Sequence, residues 1–139
     1  MQPREHEALK KIVCEWLQKA DEDIRSAKAL LAQDPPLLFP SCFHAQQSAE
    51  KYLKAYLTWH QVEFPKTHSI RELLKRVKSA DKDLASHLNS AASLTPYGVE
   101  VRYPSDLPEV SQAHAQEATE LAEKVRQAIL KTLPPELTS

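Results

Sequence analysis

A chain of 139 residues with 42% hydrophobic and 27% charged residues fits one soluble domain around a single core, spanning residues 1–139. A net charge of −1 excludes bulk electrostatic attraction to nucleic acid or membrane as the organising interaction. No apolar run approaches the ~18 residues of a membrane span, and the N-terminus MQPREHEALKK lacks a signal-peptide core, so the expected location is the cytoplasm.

Gly occurs once, at position 98, while Ala, Leu, Lys, Glu and Gln are plentiful, which favours helix throughout. The spacing predicts a first helix over 4–33, with Leu9, Ile12, Val13, Trp16, Ala20, Ile24, Ala27 and Leu31 on one stripe. Asp34-Pro35-Pro36 ends it, because two prolines cannot continue the hydrogen-bond ladder. The central element is expected over 41–63, capped by Ser41 behind Pro40, with Phe43, Ala45, Ala49, Tyr52, Leu53, Tyr56, Leu57 and Trp59 at mostly three- and four-residue steps. Within it, Glu50 and Lys54 form an i,i+4 pair in the favoured orientation. The short link before this helix predicts that the two long helices are antiparallel neighbours.

Ser69-Ile70-Arg71-Glu72 reads as a capping box opening a short third helix with Leu73, Leu74 and Val77 inward. Residues 79–81 break it, and a fourth helix is expected over 81–94, with Leu84, Leu88, Ala91 and Ala92 inward. Residues 95–108 hold three prolines and Gly98 and read as an ordered loop. A last helix is expected over 107–133, capped by Asp106 or Glu109, with Val110, Ala113, Glu117, Leu121, Val125, Ala128 and Ile129 along its face. Pro134-Pro135 ends it, and the residues from 134 are expected to fray. The sum is an all-α, up-and-down bundle of about five helices.

The chemistry-bearing residues are few. Cys14 and Cys42 read as reduced core residues. The histidines His6, His44, His60, His68, His87 and His114 form no His-x-x-x-His pair, and no Cys-x-x-Cys is present, so no metal and no cofactor are expected. Residues 66–82 carry six Lys/Arg against two Asp/Glu, and Arg71, Lys75, Lys78 and Lys82 would share a face if the third helix ran on. Such a stripe contacts phosphates in some proteins and is a solvated helix face in most. Arg102-Tyr103, near Tyr97, is the most suggestive pair: an arginine and an aromatic in a loop can hold a phosphate and stack a base. The competing reading packs Tyr97 and Tyr103 on the bundle while Arg102 bonds a carboxylate or a helix end.

Four blocks together resemble the HEPN domain of bacteria and archaea: W-L-x-K-A-x-x-D at 16–23, C-F-H-A-Q-Q-S-A-E-K-Y-L-K-A-Y-L at 42–57, T-H-S-I-x-x-L-L at 67–74 and Y-x-x-x-x-R-Y-P at 97–104. The block at 42–57 is the specific one. The resemblance implies a helical bundle that homodimerises and a genetic partner, a minimal nucleotidyltransferase, with which HEPN proteins form toxin–antitoxin pairs. It also implies either nucleotide binding or metal-independent RNA cleavage. The RNase members carry Arg-x(4–6)-His, and none of Arg4, Arg25, Arg71, Arg76, Arg102 and Arg126 has a histidine five to seven residues later. The expectation is therefore a non-catalytic module with no catalytic residue, binding a nucleotide or RNA phosphate, or the nucleotidyltransferase. Arg102 would hold phosphate, Tyr103 or Tyr97 would stack, and His44 and Lys51 would line the site. The alternatives are an RNA endonuclease toxin using Arg102 with a histidine from elsewhere, such as His44 or His114, and a purely structural dimeric subunit.

Overall fold

The computed structural model describes residues 1–98 and 103–138. Two long helices form the largest helix–helix interface: α1 (Pro3–Leu31) and α2 (Leu38–Trp59). Ser41 Oγ donates to the Ala27 carbonyl at 2.7 Å and Ser48 Oγ to the Ala20 carbonyl at 2.9 Å. Further along, Lys54 Nζ stands 5.5 Å from the Trp16 ring and the Trp59 ring 5.7 Å from that of His6. As α2 advances its partners on α1 recede, so the two run antiparallel, as the short link predicts. Alanines at 20, 27, 45 and 49, all buried, let the two backbones lie close.

α2 begins three residues before Ser41. Pro40 occupies its first turn, where backbone amides have no acceptor within the helix and a missing N–H costs nothing. Ser41 is therefore not a cap but a buried helical residue bonded across to α1. The helix stops at Trp59 through a Schellman closure: Val62 N donates to Leu57 O at 2.9 Å and Gln61 N to Thr58 O at 3.1 Å, with Gln61 in the left-handed region at φ 56°.

An extended link, 60–69, then carries the chain back along α2, bringing His68 level with Glu50. α3 (Ile70–Ala80) starts there, with Ser69 Oγ accepting from Glu72 N at 3.2 Å. The Ser69 amide donates to Thr67 Oγ1 at 3.0 Å, the role expected of the Glu72 carboxylate. Glu72 instead faces Lys75 and Arg76. Asp81 breaks the helix with extended backbone and caps α4 (Lys82–His87), accepting from Leu84 N at 3.0 Å.

The expected fourth helix is α-helical only to His87; a 3₁₀ stretch follows over Asn89–Gly98. Asn89, Ser90, Ser93 and Thr95 are weak α-formers, and Pro96 offers no N–H. Leu88, Ala91 and Leu94 are buried at intervals of three, which is the 3₁₀ period, and Ala92 is only half-buried.

α5 (Gln112–Thr132) starts five residues later than expected. Its cap is Ser111, whose Oγ accepts from His114 N at 3.1 Å while His114 Nδ1 accepts from Ser111 N at 3.3 Å. A histidine here fills the place of the usual glutamate. The buried face is Ala115, Ala118, Thr119, Ala122, Val125 and Ile129; Ala113 and Glu117 are exposed. Small side chains rather than large ones face α2. After Pro134 the chain does not simply fray: Pro135–Thr138 form a short α6, Leu137 is buried, and Glu136 lies 3.5 Å from Lys10. Among the described residues the fold is all-α, with no strand and with no helix long and apolar enough to cross a membrane.

Candidate functional site

α2 is apolar where it meets α5 and α3, but a polar seam runs along its side between α1 and the 60–69 link. The first cluster centres on Asp23, an acid within the apolar stripe of α1. Its Oδ1 meets His44 Nδ1 at 2.9 Å and its Oδ2 accepts from Lys51 Nζ. His44 and Lys51 are two turns apart on one side of α2, with side chains 33% and 23% exposed. Asp23 thus fixes both side chains from below and leaves His44 Nε2 and the remaining Lys51 N–H bonds for something else.

The second cluster centres on Glu50, whose side chain is only 3% exposed. Oε2 accepts from Lys54 Nζ at 3.0 Å, and Oε1 meets His68 Nδ1 at 3.0 Å. Gln46 Nε2 donates to the His68 carbonyl at 2.9 Å and to Glu50 Oε1 at 3.3 Å, and Gln47 Nε2 donates to Gln46 Oε1 at 2.7 Å. Lys54 is nearly buried too, its ammonium over the face of Trp16. A buried charge is tolerable only when paired and hydrogen-bonded, and here Glu50 meets Lys54, His68 and Gln46 while Lys54 has the carboxylate and the Trp16 ring. His68, at 58% side-chain exposure, is the member of this cluster that reaches solvent.

Of the residues singled out from the sequence, the structure unites His44 and Lys51. Tyr97 lies elsewhere: its ring meets Phe39 edge-on at 6.4 Å, and it shares a pocket of about 100 Å³ with Ser93, His114 and Glu117. Burial raises its phenol pKa, with Cys42 and Glu117 adding to the effect. Cys42 and His44 are two residues apart on a helix, so roughly 160° of rotation separates Tyr97's side of α2 from His44. Tyr103 is 78% exposed. Arg102 lies outside the described residues. Phe43, half-buried, meets the His44 ring edge-on at 5.4 Å.

Asp23, Gln46, Glu50, Lys54 and His68 were not singled out as site residues from the sequence. A signal was present: Gln46-Glu50-Lys54 repeats polar residues at four-residue steps within the most apolar helix, and Asp23 interrupts the Ala20-Ile24-Ala27 stripe. Of the two cysteines only Cys42 is in the core, where burial pushes its thiol to about 11; Cys14 is exposed. Among the described residues no group of three or more His, Cys, Asp or Glu is arranged to hold a metal ion.

No curated protein matches this chain. Among solved structures, the crystal structure of TT1696 from Thermus thermophilus is similar, with a TM-score of 0.65 and 28% identity, covering 87% of this chain and 98% of that one. The family model of the HEPN domain matches residues 13–133, a span that takes in all of α2 and both polar clusters. The chain belongs to the HEPN domain family.

Proposed function

We propose that this HEPN protein is a cytoplasmic binding module rather than a nuclease: a homodimer that takes a nucleotide at the α2 seam and pairs with a minimal nucleotidyltransferase in a toxin–antitoxin type system. The observation that carries the reading is the Asp23–His44–Lys51 cluster. One nearly buried carboxylate holds a lysine ammonium and an imidazole in fixed positions on a rigid helix at the edge of solvent. A phosphate arriving there meets donors already oriented, so little ordering entropy opposes binding. Half-buried aromatic rings beside the seam, Trp16 and Phe43, suit either a base or the face of a second copy. Identical chains usually close about a two-fold axis, and a helix-on-helix contact is the form expected here.

Arg102 is the further phosphate ligand in this reading. Arginine presents a planar fork suited to bidentate phosphate contact, which lysine lacks. Arg102→Lys is expected to weaken nucleotide binding and leave the melting temperature nearly unchanged. A drop in stability with no change in binding would assign Arg102 to the scaffold.

The RNA endonuclease reading has one observation in its favour. Asp23 orients the His44 imidazole through Nδ1, the arrangement a general base needs. Against it stands the absence of Arg-x(4–6)-His. Incubating the purified protein with RNA in chelator separates the two: cleavage lost in His44→Ala would support the enzyme, and intact RNA supports the binding module.

A further inference from the structure

Two histidines are held by carboxylates, and the more exposed of them takes no part in the Asp23–His44–Lys51 cluster. The His68 side chain is 58% exposed and that of His44 33%. Glu50 Oε1 meets His68 Nδ1 at 3.0 Å and Gln46 Nε2 donates to the His68 carbonyl at 2.9 Å, so ring and backbone are both fixed. Glu50 also accepts from Lys54 Nζ at 3.0 Å and from Gln46 Nε2 at 3.3 Å, which marks it as an ionised carboxylate. A carboxylate only accepts, so the Nδ1 proton belongs to His68. In the neutral ring the lone pair then lies on Nε2, and among the described residues no hydrogen bond or ion pair engages that atom.

Metal ligation would need further ligands, and no group of three or more His, Cys, Asp or Glu among the described residues is arranged to supply them. Attack on phosphorus uses what is present. We propose that His68 Nε2 is a phosphoryl-acceptor site, taking a phosphoryl group from an acyl phosphate. The Nε2 lone pair forms the N–P bond, the P–O bond to the acyl carboxylate breaks, and that carboxylate leaves with the electron pair. No proton moves: Nδ1 keeps its hydrogen, the ring becomes a phosphorylated imidazolium, and the Glu50 carboxylate behind it balances the new positive charge. The phosphoryl oxygens find a positive setting. Residues 64–71 contain Lys66 and Arg71 and no acid, and both cations are exposed with no ion-pair partner among the described residues. His68 also directly precedes the Ser69 cap, at the positive end of the α3 dipole. A base that merely took up a proton would add positive charge to this setting, whereas a phosphoryl group brings negative charge to it.

Asp23, His44 and Lys51 play no part in this step, so it and the nucleotide site stand or fall separately. The test is to incubate the folded protein with acetyl phosphate and map the adducts by mass spectrometry under alkaline conditions, because a phosphoryl group on imidazole nitrogen is lost in acid. A phosphoryl adduct is expected at His68, forming at least about tenfold faster than any at His87, an exposed histidine with no carboxylate bonded to it. His68→Gln is expected to remove the adduct and keep the melting curve, since the glutamine amide can still donate to Glu50. Glu50→Gln is expected to slow the reaction at least about tenfold, since its amide oxygen still accepts from Nδ1 but carries no charge. Should that variant misfold, the comparison of His68 with His87 in the unmodified protein decides alone. No adduct at His68, equal rates at His68 and His87, an adduct confined to His44, or an unchanged rate in folded Glu50→Gln would each overturn the proposal.

Discussion

Gly98 lies directly against the carboxamide of Gln46: a Cβ at position 98 would come within 2.7 Å of Gln46 Cδ and 2.8 Å of Nε2. The backbone at Gly98 is not in the left-handed region, so room rather than conformational freedom is what the glycine supplies. Gln46 cannot easily give way, because it is fully buried and holds the His68 carbonyl and Gln47. Gly98→Ala is therefore expected to lower stability by about 1–3 kcal/mol, the cost of overpacking or of stranding a buried hydrogen-bonding group. Urea denaturation measures it, and Gln46→Ala in the same chain should recover part of the loss, since it removes the obstructing group.

The two thiols are expected to differ in reactivity. Cys42 is buried with its pKa near 11, so it supplies almost no thiolate at neutral pH, whereas Cys14 is open to reagent. Native protein treated with iodoacetamide at pH 8 should gain one adduct by mass spectrometry, mapped to Cys14. Two adducts on folded protein would contradict the packing of α2.

His60 packs against Tyr56 with ring centroids 4.3 Å apart and planes tilted by 43°, and burial lowers its pKa from the usual 6.5, opposed by the charge of Asp81. A base whose folded pKa is depressed binds its proton more readily when unfolded, so its contribution to stability is full above the unfolded value and falls as pH drops through the folded one. Stability should therefore decline between about pH 7 and pH 5. Other groups titrate in that range, so the informative quantity is the difference between the unmodified protein and His60→Gln, whose decline should be shallower. Equal slopes would show that His60 titrates alike in both states.

Much of the bundle was legible from residue patterns because periodicity reports burial. The α1–α2 pair, the double-proline stop after α1 and the break at Asp81 all rest on rules that act locally. The misplacements share a cause. Pro40 signals a helix end in isolation, but the first turn of a helix accommodates it as well, and only tertiary contact between Ser41 and Ala27 decides. On α5 the expected face holds at Val125 and Ile129, but in the first half of the helix the buried side is Ala115, Ala118, Thr119 and Ala122 instead of Ala113 and Glu117. His44 and Lys51 were singled out from the sequence, yet Asp23, which contacts both, comes from another helix; no local sequence pattern joins positions 23 and 44. Tyr97 stood near Arg102 in sequence and on the far side of α2 from His44 in space.

If the Asp23–His44–Lys51 cluster takes a nucleotide as proposed, isothermal titration of ATP into the unmodified protein and into Lys51→Gln will show it, with melting curves run on both to confirm the fold. Saturable binding to the unmodified protein is expected, weakened at least about tenfold in the variant, or about 1.4 kcal/mol. An absence of saturable heat at millimolar ATP, or identical binding by Lys51→Gln, would contradict it.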